Sequence, residues 1–364
     1  MVPPPDRPDV SDLPVPPLPP DDPGAGDAGP EDAEGPPGRR GVLALALAVV
    51  VGLVAGAAVL LTRGDDGPVD PAADPAADLL VVSTAPVEPL PPELLARGIR
   101  RYVAMGDSFS AGPGIAPAQE DSGTALTCGR STRSYPALIA ARGDVRRFVD
   151  ATCSGASTAA VTDRQLIGAD AVVVPPQIRA LNGREDLITV SLGANDGDLF
   201  ATVFAVCAEV VEQSVGGPPD ATPCRDAFGE AGVAGLEASA TGIRASLAAD
   251  LEAIRRRSPD AVVVVVGYPR IFPVAGTCED LLLTDADARW LAGLFNVVVA
   301  SQEQAARDAD VRFVDLRTTE GQAICEEGTW VNGGFTAPGD GIGFHPSADG
   351  MARAADRIVE ALTP

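Results

Sequence analysis

The chain has 364 residues and is strongly acidic, with a formal net charge of −24 at pH 7. This charge argues against nucleic acid as a partner and provides no polybasic surface for anionic lipid. The length would allow two average domains, but the residue types are distributed so unevenly that one globular unit behind a long leader is the better interpretation.

The N-terminal part of the chain has the composition of a leader followed by a membrane span. Residues 1–40 are rich in Pro, Asp, Gly and Glu and poor in apolar side chains, which predicts a disordered, cytoplasmic leader. Residues 41–62 follow, and no charge occurs from Val42 to Leu61. A run of that length spans about 30 Å as a helix, the thickness of the hydrocarbon core of a bilayer.

A buried helix would show a polar face, and a cleaved signal peptide would begin nearer the N-terminus. An uncleaved transmembrane helix, with residues 42–61 in the membrane, is therefore preferred. Arg39 and Arg40 precede the span and Arg63 follows it. This difference in positive charge predicts a single-pass membrane protein with a cytoplasmic N-terminus and an extracytoplasmic C-terminal domain.

Beyond the span, a spacer precedes a folded domain. Residues 63–96 are rich in Pro, Asp and Ala and predict an extended stalk. Over 97–364, short apolar runs alternate with longer Ala-rich amphipathic segments, which is typical of a parallel α/β sheet covered on both faces. The predicted strands are Tyr102–Met105, Arg147–Ala151, Leu187–Leu192, Ala261–Gly267 and Val311–Asp315. The predicted helices are Tyr135–Arg142, Pro176–Leu181, Leu199–Ser214, Gly235–Arg257, Asp285–Asp308 and Ser347–Leu362.

Polar motifs follow the first three strands, at the carboxyl ends where sites form in such sheets. Ser108 lies in GDSFS, Gly155 in CSGAS and Asn195 in GAND. Two backbone N–H groups and one side-chain amide at these positions are donors of the kind that stabilises an oxyanion. Each motif alone is typical of a turn, and their recurrence at successive strand ends favours one shared site.

The only histidine of the chain, His345, directly precedes the last predicted helix. A serine hydroxyl is a poor nucleophile without a base to take its proton, and histidine titrates in the useful range. We therefore predict Ser108 as nucleophile and His345 as general base. The prediction requires that these two distant residues meet in the folded protein.

All six cysteines lie beyond the apolar segment, and none forms a CxxC pair. This favours disulfides in an oxidising compartment over a zinc or redox site. Six cysteines allow about fifteen pairings, and their positions alone select none.

The motifs GDSFS, SGA, GAND and FHPS occur in the order and at the separations of blocks I, II, III and V of the SGNH (GDSL-type) hydrolases, which this chain resembles over about residues 100–363. The resemblance implies a flavodoxin-like three-layer α/β/α sandwich with a mainly parallel five-stranded sheet. It also implies carboxylic-ester hydrolysis through an acyl-enzyme, without a metal or an organic cofactor. The cysteine pattern is similar to that of the secreted, disulfide-bonded bacterial esterases and lipases. That branch implies the pairs Cys128 with Cys153, Cys207 with Cys224 and Cys278 with Cys325.

By the same resemblance, Ser108, Gly155 and Asn195 are the oxyanion donors. The family usually has an aspartate three residues before the catalytic histidine, where this chain has Ile342. The backbone carbonyl of Ile342 is our first candidate for orienting His345, and Asp340 is the second. A neutral carbonyl fixes the tautomer but stabilises imidazolium less than a carboxylate does, so a Ser-His dyad is expected.

Two other functions fit the same motifs. One is an acyltransferase or deacetylase acting on cell-envelope glycans, because a membrane tether favours an immobile substrate. The other is a non-catalytic envelope binding module on the same fold. For the hydrolase, the expected partner is an ester substrate, either a lipid or an acylated envelope component.

Overall fold

The computed structural model of the chain describes residues 82–83, 85–120, 122–142, 145–168, 171–318 and 321–364. The predicted leader and the predicted span at 41–62 lie outside these residues. Within the described ranges, no helix combines the length and the apolarity needed to cross a bilayer.

A parallel sheet of five strands, in the order β2-β1-β5-β6-β7, forms the centre of the domain. In β1, Tyr102 pairs with Phe148 on one side and with Leu187 on the other. β1 and β5 are buried along their whole length because helices cover both faces of the sheet. The predicted α/β fold is confirmed. The strands are β1 (Tyr102–Gly106), β2 (Phe148–Asp150), β3 (Gln165–Ile167), β4 (Val172–Val174), β5 (Leu187–Ser191), β6 (Val262–Val266) and β7 (Arg312–Val314).

Helices pack against each other in the layers that cover the sheet. Pro223–Arg257 packs against Asp285–Asp308, and Tyr135–Arg142 packs against Ala348–Leu362. The shorter helices are Pro92–Arg97, Ser108–Ala111, Gly123–Thr127, Leu199–Glu209 and Val211–Ser214, and 3-10 turns occur at Thr158–Val161, Gln177–Ala180 and Asp196–Asp198.

The helix predicted to begin at Gly235 belongs to a helical segment that extends back to Pro223 and is kinked at Gly229, where φ is 62°. Its first backbone N–H groups, those of Cys224 and Arg225, donate to the carboxylate of Asp287 at 2.9 and 3.0 Å. A proline is favoured in the first turn of a helix, and a carboxylate there complements the helix dipole. The acceptor lies more than sixty positions away, so no local pattern could reveal it.

The antiparallel hairpin of β3 and β4 was not predicted. Each strand has only three residues, and Leu166 and Val173 stand opposite each other in the pairing. Both side chains are exposed, whereas Val174 is buried in the core. Strands of three residues are too short to show the alternating pattern by which a strand is predicted.

Part of the predicted stalk belongs to the folded domain. Residues 92–97 form a helix, and the side chains of Leu90 and Leu94 are buried in the core. The backbone N–H of Leu90 donates to the carbonyl of Leu362 at 2.9 Å. The stalk prediction for 63–96 is therefore corrected where this segment is described, because two buried leucines outweigh the surrounding prolines.

Three disulfides connect segments of the domain. Cys128 is bonded to Cys153, Cys207 to Cys224 and Cys278 to Cys325. These are the pairs that the resemblance implies. The first joins the segment after Ser108 to the end of β2, and the third joins the segment after β6 to the one that leads to His345.

Candidate active site

The end of β1 is held tightly where the chain turns into Ser108. A Cβ atom on Gly106 would lie 2.9 Å from the carbonyl oxygen of Ser191 and would overlap the side chain of Ser110, so only glycine fits. The buried side chain of Gln177 binds both polar groups of the Gly106 backbone, at 2.8 and 2.9 Å. Ser108 then begins a one-turn helix at the carboxyl edge of the sheet.

The structure brings Ser108 and His345 together. Ser108 Oγ lies 2.8 Å from His345 Nε2, although 237 positions separate the two residues in the chain. Both side chains are largely buried, at 8% and 7% exposure. A hydrogen bond of this length between a hydroxyl and an imidazole is the geometry that proton transfer requires.

The second ring nitrogen, Nδ1, lies 2.9 Å from the carbonyl oxygen of Gly343. The structure therefore differs from the expectation for both Ile342 and Asp340. Phe344 has a left-handed backbone with φ of 59°, which turns the imidazole back onto the carbonyl two residues before it. The Asp340 carboxylate instead accepts the backbone N–H of Ala348, at 3.0 Å, in the last helix.

Two aromatic rings enclose the imidazole of His345. The ring centroids of Phe109 and Phe200 lie 4.9 and 5.2 Å from that of His345. Burial lowers the pKa of His345 from 6.5 to about 4, and the hydrogen bond to the Gly343 carbonyl opposes this shift only in part. The imidazole is thus neutral at physiological pH, with a lone pair free to accept a proton.

The segments after β2 and β5 meet beside Ser108. The Asn195 side-chain amide donates to the carbonyl of Ala156 at 3.1 Å. The Asp196 carboxylate accepts both the backbone N–H and the hydroxyl of Thr158, at 2.8 and 2.7 Å. These bonds place Gly155 and Asn195 on neighbouring segments that flank β1.

Gly155 has a left-handed backbone with φ of 73°, and this residue is exposed to solvent. The side-chain amide of Gln165, in β3, donates to the carbonyl of Ser154 at 2.7 Å. Because that carbonyl shares a peptide plane with the Gly155 N–H, Gln165 sets the direction in which this N–H points. Among the described residues, the N–H groups of Ser108 and Gly155 have no acceptor, which leaves them available to a bound oxygen.

A buried tyrosine, Tyr268, forms hydrogen bonds to both the turn before Ser108 and the turn before Asn195. The Tyr268 hydroxyl donates to the carboxylate of Asp107 at 2.5 Å and accepts the backbone N–H of Ala194 at 3.1 Å. Burial raises the pKa of Asp107 to about 7, against the opposing effect of the Tyr268 and Phe109 hydrogen bonds. Tyr268 therefore links the turn before Ser108 to the turn before Asn195.

Several residues of the site were absent from the prediction. Tyr268 lies just past the end of β6, so the rule that sites form at carboxyl strand ends could have found it. The side chains of Gln165 and Gln177 carry no such signal, because they act on main-chain groups that only the fold brings near. The Gly343 carbonyl likewise depends on the turn at Phe344.

A serine in hydrogen-bond contact with a buried neutral histidine, at the carboxyl edge of a parallel sheet, places the protein among the α/β serine hydrolases. The chain belongs to the GDSL-like lipase/acylhydrolase family, whose model matches residues 104–353. Membership of this family makes it a serine ester hydrolase and confirms the resemblance read from the four motifs.

Relatives from Streptomyces match most of the chain. Lipase 2 of Streptomyces coelicolor is 32% identical over 271 residues, which cover 72% of this chain and 85% of the relative. The crystal structure of an extracellular lipase from Streptomyces rimosus matches with 29% identity and a TM-score of 0.55, over 72% of this chain and 98% of that one. The crystal structure of phospholipase A1 from Streptomyces albidoflavus NA297 has the same coverage and TM-score at 27% identity.

Proposed function

We propose that the protein is an extracytoplasmic lipid esterase in which Ser108 is the nucleophile and His345 the general base. The observation that carries this proposal is the 2.8 Å contact between Ser108 Oγ and His345 Nε2. The names of the relatives, lipases and a phospholipase, support an ester of a lipid as the substrate class. An acylated envelope component is the alternative substrate, because it has the same reacting bond, a carboxylic ester.

In the first half of the proposed reaction, His345 Nε2 takes the hydroxyl proton while Ser108 Oγ forms a bond to the ester carbonyl carbon. The carbonyl oxygen becomes an oxyanion, and the N–H groups of Ser108 and Gly155 and the amide of Asn195 donate to it. The tetrahedral intermediate then expels the alcohol, which takes the proton from the imidazolium. The product is an acyl-enzyme on Ser108.

In the second half, water replaces the alcohol and the same groups act in reverse order. His345 takes a proton from the water, the resulting hydroxide attacks the acyl carbonyl, and Ser108 Oγ leaves with the proton from the imidazolium. The Gly343 carbonyl keeps a proton on Nδ1 throughout. Because this partner is neutral, the imidazolium is stabilised less than it would be by a carboxylate.

We further propose that residues 42–61 anchor the enzyme in the cell membrane, with the N-terminus in the cytoplasm. The uncharged length of this segment supports an anchor. The three disulfides support an oxidising location for the domain.

The test is hydrolysis of a soluble short-chain p-nitrophenyl ester by a Ser108→Ala variant. We expect kcat to fall by a factor of about 10⁴ to 10⁶. Ser246→Ala is a matched control, because this serine is exposed on the helix Pro223–Arg257. A serine-directed phosphonate should label the wild type and the control but not Ser108→Ala. Full activity in Ser108→Ala would disprove the assignment.

A further inference from the structure

The N-terminal segment runs antiparallel to β7 along the outer side of the sheet. At the carboxyl end of β7, the backbone N–H of Ser83 donates to the carboxylate of Asp315 at 2.8 Å. At the amino end, the guanidinium of Arg312 donates to the carbonyls of Glu88 and Pro89 at 2.7 and 3.0 Å. The chain therefore passes from the carboxyl edge of the sheet to the amino edge between residues 83 and 89.

Because Ser83 lies beside Asp315, the chain before it joins the domain at the carboxyl edge of the sheet. This edge also carries Ser108 and His345 and is called the catalytic edge below. Fully extended, the residues between Leu61 and Ser83 would reach at most about 75 Å. An anchor at 42–61 would thus be tethered to the domain at its catalytic edge.

The most exposed large apolar side chains of the described residues lie on connections that follow the carboxyl ends of the sheet strands. Seven of them, called the apolar rim below, are 40–66% exposed. At the opposite edge, Leu95 and Val359 are each 36% exposed. The apolar rim consists of Leu126, Leu166, Val172, Val173, Val215, Phe335 and Ile342.

The rim flanks the active site on two sides. Leu166 and Val173 form a cross-strand pair in the β3–β4 hairpin. Gln165 of the same hairpin donates to the Ser154 carbonyl, next to the proposed oxyanion donor Gly155. Phe335 and Ile342 lie on the segment that leads to His345. Soluble proteins seldom expose a group of large apolar residues near an active site unless these residues contact an apolar partner.

We propose that the catalytic edge docks on an uncharged or zwitterionic lipid surface through the apolar rim, with the N-terminal segment entering the membrane on the same side. The inference rests on the proposed lipid esterase and on its anchor. The chain has 51 acidic residues against 27 basic ones, and its net charge of −24 gives no overall attraction to an anionic lipid surface, so the apolar side chains must supply the contact. Docking would present lipid esters directly to Ser108.

The orientation can be measured on the full chain reconstituted in phosphatidylcholine vesicles. Single tryptophans are introduced at Leu166→Trp in the rim and, as the matched control, at Val359→Trp on the opposite edge. Lipids brominated on their acyl chains quench nearby tryptophan fluorescence. We expect strong additional quenching for Leu166→Trp and none beyond the wild-type background for Val359→Trp. Equal quenching of both, or none of Leu166→Trp, would overturn the proposal.

Hydrolysis assays on two kinds of substrate distinguish a loss of membrane docking from a loss of catalytic activity. A Leu166→Thr/Val173→Thr double variant should lose about tenfold or more of its activity on esters embedded in vesicles, because two apolar contacts with lipid are removed. Threonines are compatible with a cross-strand pair, so the hairpin that carries Gln165 is kept and the activity on a soluble short-chain ester should stay at the wild-type level. Leu95→Thr/Val359→Thr should retain both activities. Equal loss of vesicle activity in the two double variants would also overturn the proposal.

Each failure points to a different cause. If the wild type does not hydrolyse the soluble ester, the proposed function fails, while the quenching experiment still reports the orientation. If the full chain is a dimer in detergent and Leu166→Trp is shielded from both water and lipid, the rim is an interface between two copies of the chain. That result would exclude a lipid surface as its partner.

Discussion

The carbonyl oxygen of Gly343 lies 2.9 Å from His345 Nδ1, on the side of the ring opposite to Ser108. A carbonyl only accepts hydrogen bonds, so the proton of the neutral imidazole resides on Nδ1 and the lone pair of Nε2 faces the serine. This single contact sets the tautomer that a general base requires. It adds little charge stabilisation to the imidazolium, and burial between two phenylalanines then keeps the pKa low.

The activity of the enzyme should persist to unusually acidic pH. Only the neutral imidazole can accept the serine proton, and burial lowers the pKa of His345 to about 4. We expect kcat/KM on a soluble ester to be constant from neutral pH to about pH 5 and to fall about tenfold per pH unit below about pH 4. Circular dichroism at each pH verifies that the enzyme is folded. An acid limb centred near pH 6.5 would contradict this prediction.

Gln165 should affect catalysis although it does not contact the reacting atoms. A Gln165→Met variant keeps the shape of the side chain but loses the 2.7 Å bond to the Ser154 carbonyl. We expect kcat to fall about tenfold with little change in KM, because the Gly155 N–H acts on the oxyanion of the transition state and is then less well aimed. Gln304→Met, on an exposed helix surface, is the control. A change in KM alone would argue against this role.

Asn195 should contribute directly to transition-state binding. An Asn195→Ala variant removes the side-chain amide that donates to the Ala156 carbonyl and, in our proposal, to the oxyanion. The expected loss in kcat is about 10²- to 10³-fold, the usual effect of deleting one oxyanion donor. Asn182→Ala, at the opposite edge of the sheet, is the matched control. Wild-type kcat in Asn195→Ala would remove this residue from the mechanism.

Asp107 should make the stability of the fold depend on pH. Burial raises the pKa of Asp107 from 3.8 to about 7, so the folded protein binds a proton that the unfolded chain releases between these values. Its contribution to the free energy of unfolding is fully present below pH 3.8 and is lost as pH rises through 7. An Asp107→Asn variant lacks this dependence. Its stability relative to wild type should therefore increase between pH 4 and pH 7, by at most about 4 kcal/mol.

Urea denaturation at several pH values measures this difference. The comparison of Asp107→Asn with wild type is needed because His345 acts in the opposite direction. The pKa of His345 is lowered on folding, so its contribution to stability decreases as pH falls from 6.5 towards 4. Both proteins contain His345, and its effect cancels in the difference. A stability difference that does not change with pH would show that Asp107 does not carry a raised pKa.

Local patterns in the sequence were sufficient for the central fold. The central strands β1, β5 and β6 are each a short apolar run that is buried along its whole length, and two buried faces make such a run recognisable without any partner. The helix at Asp285–Asp308 has the predicted bounds, because its amphipathic spacing continues over its whole length and Thr284 caps its start. The hairpin of β3 and β4 left no comparable pattern.

The sequence by itself determined the five strands of the main sheet and the long helices between them, the motifs at the strand ends and the pair of residues, Ser108 and His345, on which the proposed chemistry depends. Only the tertiary structure decided that Gly343 orients the histidine, that Gln165 and Tyr268 position the neighbouring segments, and that the N-terminal segment leaves at the catalytic edge. The physical reason is the range of the interactions. Buried faces and helix caps can be predicted from residues close together in the sequence. Contacts between distant segments depend on backbone turns such as that at Phe344.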